Sequence, residues 1–161
     1  MTRLFAALAA MAVLATGCQA AANELHPSRE ELKAGPRGSL GQVIVDDEGH
    51  TVYLFEKDDE PDESYCHDAC ASVWPPLTTS RAPVVQAPLD SSKVTLLKRG
   101  GGLMQVVYAG HPLYYYQGDT SPKDTNGQEK DQFGAHWYTL HASGQKAEAK
   151  ESGEGGGSDD S

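Results

Sequence analysis

The chain has 161 residues, with 13 Lys and Arg against 23 Asp and Glu, a formal net charge of −10 at pH 7. That length accommodates one domain or two small ones, and the acidic balance leaves no basic stripe to neutralise phosphates, which sets nucleic-acid partners aside. Seventeen Gly and nine Pro argue for turns and loops over a helical bundle.

The first element is a leader. Met1-Thr2-Arg3 supplies a positive start, and Leu4 to Ala15 runs apolar for twelve residues without a charge. A membrane-spanning helix needs about 20 such residues, so the run fits the core of a secretory signal peptide. It ends in Ala15-Thr16-Gly17-Cys18, which resembles the bacterial lipobox, with one departure: Ala15 stands where that motif usually has Leu, and Leu14 is one place further back. The resemblance implies removal of residues 1–17, a palmitate-type diacyl modification of Cys18, and anchoring to a cell membrane or outer membrane, facing periplasm or exterior. Each buried acyl CH₂ holds with roughly 0.8 kcal/mol. Gln19 after that cysteine, in place of Asp, implies onward sorting where an outer membrane exists.

Residues 19–39 are polar and aperiodic and read as a flexible tether. Residues 144–161, rich in Gly and ending Gly155-Gly156-Gly157-Ser158-Asp159-Asp160-Ser161, read as a disordered acidic tail. The expected domain lies between them, over 40–143. Val43 and Val45, then Val52 and Leu54 with Tyr53 and Phe55 on the opposite face, flank Asp46-Asp47-Glu48-Gly49 and give a hairpin signal. Ser64 to Val73 reads as a short helix with Ser64 as its N-cap, stopped by Trp74-Pro75-Pro76. Val94 to Leu97 and Leu103 to Tyr108 flank Gly100-Gly101-Gly102, Leu113 to Tyr116 follows a turn at Ala109-Gly110, and His136 to His141 closes the domain. The expected fold is mainly β, an antiparallel sheet domain with one short helix.

The two halves of this domain resemble each other. Gly49-His50-Thr51-Val52-Tyr53-Leu54-Phe55-Glu56-Lys57-Asp58 lies over Gly110-His111-Pro112-Leu113-Tyr114-Tyr115-Tyr116-Gln117-Gly118-Asp119 at a constant offset of 61, and each stretch leads through a polar loop to a tryptophan, Trp74 or Trp137. Self-similarity of this kind predicts two pseudo-symmetric copies of one unit, over about 40–90 and 91–143, each covering the other's apolar face. The repeated Tyr-x-aromatic-x-x-Asp resembles the secreted-repeat lipoproteins of bacteria, described by a Tyr-x-(Phe/Trp/Tyr)-x-x-Asp motif. Tyr53, Phe55 and Asp58 fill the first copy, and Tyr114, Tyr116 and Asp119 the second. The resemblance implies an envelope location and a repeat architecture, and no established activity.

Three constellations are candidates for chemistry. Cys66-His67-Asp68-Ala69-Cys70 places two thiols four apart: in an exported chain they read as a disulfide, and the alternative is copper or thiol redox work, since two thiolates and an imidazole suit copper. Ala71, where copper chaperones of the Sco type have proline, speaks against that alternative. His50 and His111 are equivalent in the two repeats; either they converge on one metal or haem, or each sits in its own turn with the aromatics in the core and Asp58 and Asp119 accepting backbone N–H groups. Ten carboxylates lie between Asp46 and Asp68, and Asp119, Asp124, Glu129 and Asp131 form a second acidic loop. Oxygen donors like these suit calcium, but the spacing fails the EF-hand pattern, and a solvated loop is the other account. Tyr115 is expected to face away from its neighbours, forming a ligand-facing surface with Tyr53 or Trp137.

No phosphate loop, Gly-x-Ser-x-Gly elbow or His-Glu-x-x-His helix occurs. The sequence therefore reads as a membrane-anchored envelope lipoprotein, a non-enzymatic binding or structural module whose partner is an envelope protein or small ligand. The alternative is a copper- or haem-handling redox protein using Cys66/Cys70 and His50/His111.

Overall fold

The computed structural model describes residues 30–60 and 63–149. The expected leader, Cys18 and residues 150–161 lie outside the described residues. The described chain is mainly β, with ten strands and one α-helix: β1 (Glu31–Pro36), β2 (Gln42–Val45), β3 (Tyr53–Phe55), α1 (Ala69–Val73), β4 (Thr78–Thr79), β5 (Val84–Val85), β6 (Val94–Lys98), β7 (Met104–Tyr108), β8 (His111–Pro112), β9 (Lys130–Gln132) and β10 (Ala135–Thr139). Three sheets form, ordered β2-β1-β5, β3-β10-β9 and β4-β7-β6, with β8 added to β7. Every pairing is antiparallel except β1 with β5.

Period-two alternation decides which core each side chain enters. Val52 and Leu54 join an aliphatic cluster with Ile44, Val106, Leu113 and Leu140. Tyr53 and Phe55, pointing the other way, join an aromatic cluster with Trp74, Tyr114 and Trp137. Strand β3 is thus buried on both faces. The turn after β2 closes as the sequence indicates, with Gly49 N–H donating to the Asp46 carbonyl at 3.1 Å, and Gly49 adopts φ +90°, a conformation glycine enters without a Cβ clash. The hairpin is short, however. After a single bridge at Val45 and Thr51 the chain leaves β2, and β3 pairs with β10, Tyr53 opposite Thr139.

Three expectations give way. Part of the tether expected over 19–39 is ordered instead: Glu31–Pro36 is a strand held between β2 and β5, with Leu32 fully buried, and residues 19–29 lie outside the described residues. The helix begins at Ala69 and not after Ser64, which is buried with its hydroxyl against the Tyr114 hydroxyl; Trp74-Pro75-Pro76 does stop it. Residues 144–149 do not belong to the tail expected from Gly144. Ala147 is fully buried beside Val43 and Val45, and its N–H donates to the Thr139 carbonyl at 2.7 Å.

The repeat extends further than the first matching glycine. β1 with the 3-10 turn Gly38–Leu40 and β2 is matched by β6, the 3-10 turn Gly100–Gly102 and β7. Arg37 N–H donates to the Gly41 carbonyl as Arg99 N–H donates to the Leu103 carbonyl, both at 2.8 Å. Ile44 N–H meets the Leu140 carbonyl as Val106 N–H meets the Leu77 carbonyl, at 2.8 and 2.9 Å. Each repeat therefore lends a backbone carbonyl to the first half of one unit from the last apolar residue of a Trp-containing arm.

Candidate functional site

The two motif copies meet at the local two-fold relation. Tyr53 and Tyr114 exchange backbone hydrogen bonds, each N–H donating to the other's carbonyl at 2.9 Å. From this junction each phenol reaches the aspartate of the other repeat: Tyr53 donates to Asp119 Oδ2 at 2.6 Å, and Tyr114 donates to Asp58 Oδ2 at 2.5 Å. The spacing within the motif follows from a tight reversal after the aromatic residue, where Asp58 N–H donates to the Phe55 carbonyl and Asp119 N–H to the Tyr116 carbonyl, both at 3.0 Å. The other carboxylate oxygen accepts a backbone N–H seven residues on, from Tyr65 to Asp58 at 2.7 Å and from Asn126 to Asp119 at 2.8 Å.

An aromatic column runs between the repeats. Phe55 stacks on Trp137 with centroids 4.1 Å apart, Trp137 stacks on Trp74 at 3.9 Å with 5° between planes, and Trp74 lies against Tyr116 at 4.3 Å. Tyr53 meets Trp74 edge-on at 5.5 Å, and Tyr114 meets Trp137 edge-on at 5.2 Å. Both indole N–H groups donate to Gln132, Trp74 to its side-chain oxygen at 3.0 Å and Trp137 to its carbonyl at 3.1 Å. Edge-to-face pairs of this kind add about 0.5–1.5 kcal/mol each beyond the area they bury.

The environments of the polar groups follow from this burial. Desolvation pushes the Tyr53 and Tyr114 phenols well above the ordinary tyrosine range, and their aspartate neighbours push in the same direction. Burial also raises Asp58 against the opposing pull of Tyr114, the Tyr65 N–H and Arg99. Asp119 is raised chiefly by burial too. On the Asp58 side the network continues outward: Arg99 Nη1 donates to Ser64 Oγ, whose hydroxyl donates to the Tyr114 oxygen at 2.6 Å, and Arg99 Nη2 donates to the Cys66 carbonyl at 2.7 Å.

Two depressions flank the junction and are built from matching parts. One, of about 780 Å³, is lined by His111 with Leu54, Phe55, Glu56 and Asp58, together with Gly144 and Lys146. The other, of about 340 Å³, is lined by His50 with Tyr115, Tyr116 and Asp119, together with Asp46. Each sets the histidine of one repeat beside the aromatic-x-x-Asp arm of the other. They differ because Tyr115 holds the place of Leu54. Its hydroxyl donates to Asp46 Oδ2 at 2.9 Å, and Asp46 also meets His50 Nδ1 at 3.2 Å, so this network fills the smaller depression. In the larger one, burial lowers the His111 pKa and favours neutral imidazole, while Lys146 pairs with Glu56 at 3.0 Å.

The expected candidates are placed accordingly. Cys66 and Cys70 are bonded to each other, with Cα atoms 5.1 Å apart, and both are buried in the aromatic cluster. His50 and His111 line separate depressions, so the two imidazoles do not converge on one metal or haem, and Cys66 and Cys70 are held to each other as a disulfide. Among the described residues no group of three or more His, Cys, Asp or Glu side chains is placed to hold a metal ion. In the acidic stretch Asp46 and Asp58 are buried and hydrogen-bonded, whereas Asp47, Glu48, Asp59 and Glu60 face solvent. A surface combining Tyr115 with Tyr53 or Trp137 does not form, because Tyr53 and Trp137 are fully buried.

Sequence reasoning missed Arg37 and Arg99, Gln132, and the crossing of the Tyr–Asp pairs. The first of these left a signal, the dipeptide Arg37-Gly38 matched by Arg99-Gly100.

A family model described as a secreted repeat of unknown function matches residues 37–78 and 95–141. The chain belongs to the secreted-repeat family. The two matched segments fall one in each structural unit, the first starting at Arg37 just after β1 and the second within β6. Neither a curated protein nor a solved structure matches the chain.

Proposed function

We propose that this secreted-repeat protein is a lipoprotein, held to the cell membrane or outer membrane by acyl chains on Cys18, whose two-repeat domain is a non-enzymatic binding or structural module of the envelope. The anchor is supported by Ala15-Thr16-Gly17-Cys18 after the apolar leader, and the module by the reciprocal exchange of Tyr53 with Asp119 and Tyr114 with Asp58. The residues that define the repeat are turned on each other, which supports a structural role for the motif at the junction of the two repeats. The depression beside His111 is the face we assign to an envelope protein or small ligand.

The anchor is tested by expressing the full chain and Cys18→Ser in a bacterial host fed an alkyne palmitate analogue. The expected result is label and membrane fractionation for the unaltered chain, and an unlabelled, soluble product with intact near-ultraviolet dichroism for Cys18→Ser. Label-free export of the unaltered chain, or equal membrane partition of both, overturns the anchoring.

A further inference from the structure

The aromatic column is closely stacked, with Trp74 and Trp137 at a centroid distance of 3.9 Å and 5° between planes. The oxidisable rings are also continuous. Tyr116, half-buried at the surface, touches Trp74, which overlaps Trp137, and the two indoles touch Tyr53 and Tyr114 respectively. Each of these last two phenols carries a proton acceptor in hydrogen-bond contact, Asp119 or Asp58.

We infer that the Tyr116–Trp74–Trp137 column is a relay for single oxidising equivalents, which it delivers from a surface one-electron oxidant to Tyr114 and Tyr53. The inference is independent of the lipid anchor. A phenol that loses an electron becomes a strong acid and must release its proton. Tyr114 is fully buried and Asp58 nearly so, which leaves the carboxylate as the acceptor. The step balances as follows. The oxidant, an outer-sphere metal complex by class, gains one electron that leaves through the indoles; the Tyr114 O–H bond breaks and a new O–H bond forms on Asp58 Oδ2. The products are a neutral tyrosyl radical and a neutral carboxyl group, so no positive charge is left in the core, where an uncompensated charge is costly. A hydroquinone-type donor returns the electron through Tyr116, and the proton goes back from Asp58 to Tyr114. Tyr53 and Asp119 perform the same exchange on the half-exposed side.

The test uses the folded chain with disulfide intact and flash-generated tris-bipyridine ruthenium(III) as oxidant, followed by transient absorption and electron paramagnetic resonance. The expected course is a tryptophan radical that converts into a neutral tyrosyl radical, with the conversion slowed in deuterated water. Tyr53→Phe/Tyr114→Phe loses the conversion to the buried tyrosyl radicals and leaves the hole on Trp74, Trp137 and Tyr116, whereas Tyr65→Phe/Tyr138→Phe, which alters tyrosines outside the column, retains it. Asp119→Asn on the half-exposed side loses the Tyr53 share of the signal, and this variant carries the test if the double phenylalanine variant does not fold. A tyrosyl signal that disappears with Tyr65 and Tyr138, an unaltered yield in Asp119→Asn, or no tryptophan-to-tyrosine conversion in the unaltered chain overturns the relay.

Discussion

Removing one phenolic oxygen from the junction separates its two halves energetically. Tyr114→Phe deletes the donor to Asp58 Oδ2 at 2.5 Å and leaves the Ser64 hydroxyl without its acceptor. Asp58 is only 4% exposed, so water cannot take the place of the phenol. A hydrogen bond to a charged group contributes about 1.5–3 kcal/mol, and a buried orphan adds to that, which sets the loss near 3 kcal/mol. Tyr53→Phe deletes the equivalent donor to Asp119 at 2.6 Å and a long acceptor contact to the Gly127 N–H at 3.3 Å, but Asp119 is half-buried and water solvates the carboxylate left behind. Its loss is set at about 1.5 kcal/mol by the low end of the same range. The assay is urea unfolding at neutral pH followed by fluorescence of the stacked indoles, with the midpoint shifting and the slope unchanged. Pairing Tyr114→Phe with Asp58→Asn in a double-mutant cycle isolates the coupling. A Tyr53→Phe cost equal to or above that of Tyr114→Phe, or a Tyr114→Phe cost under about 0.5 kcal/mol, which is the scatter of ordinary surface changes, refutes the reasoning.

Alkaline pH should unfold the domain steeply. Tyr53, Tyr114 and Tyr115 are all held above the ordinary tyrosine range by burial, so the unfolded chain loses three protons that the folded chain keeps, and stability falls above about pH 10 by roughly 4 kcal/mol per pH unit. Ultraviolet titration of tyrosinate should show these three ionising only with unfolding, and smooth titration of all seven tyrosines in a folded protein would contradict it. On the acid side His111 acts in the opposite sense: its folded pKa lies below 6.5, so its contribution is lost as pH falls below that value, and His111→Asn should flatten this limb of the stability profile. Reducing the Cys66–Cys70 bond opens a loop of five residues and should cost about 2 kcal/mol by loop-closure entropy; thiol counting before and after reductant, with unfolding midpoints, checks it. Gly127→Ala should destabilise by about 1–3 kcal/mol through overpacking, because a Cβ there stands 2.8 Å from Tyr53 Cζ and 2.9 Å from Trp74 Cη2, and a neutral result would show that the column yields.

Strand character was legible wherever apolar residues alternate, as in Val52 to Phe55, because one period-two pattern sorted side chains into two separate clusters. The first strand was not. Glu31-Leu32-Lys33-Ala34-Gly35-Pro36 holds a single large apolar residue and reads as linker until it is set against its counterpart in β6. That comparison is obscured by one residue. Arg37 and Arg99 lie 62 apart and Gly49 and Gly110 lie 61 apart, because the turn Asp46-Asp47-Glu48-Gly49 is one residue longer than Tyr108-Ala109-Gly110. An ungapped overlay started at the glycines therefore loses register upstream. Of the two readings of the histidines, convergence is excluded for a geometric reason: a two-fold relation brings equivalent residues together only at its axis. Tyr53 and Tyr114 sit there and exchange hydrogen bonds. His50 and His111, three residues earlier, lie off it and are sent to separate depressions.

The same symmetry accounts for a cysteine pair in only one repeat. Tyr65 and Asn126 are equivalent through their N–H bonds to Asp58 and Asp119, so the residue after each, Cys66 or Gly127, occupies the matching place. At Gly127 a side chain has no room between Tyr53 and Trp74. That arm is fixed instead by polar turns, with Asp124 accepting the N–H groups of Thr120 and Ser121 at 2.9 and 3.0 Å and Asp119 accepting that of Asn126. At Cys66 the side chain is accommodated, and the bond to Cys70 ties the arm to α1, whose end carries Trp74 into the column. The helix has only five residues, fewer than isolated helices need for stability in water, so its position depends on that bond and on the packing of Trp74. One repeat thus orders its tryptophan arm covalently and the other by carboxylate-capped turns. Reduction should therefore loosen the Trp74 side of the stacked pair before the Trp137 side, which β10 holds in a sheet.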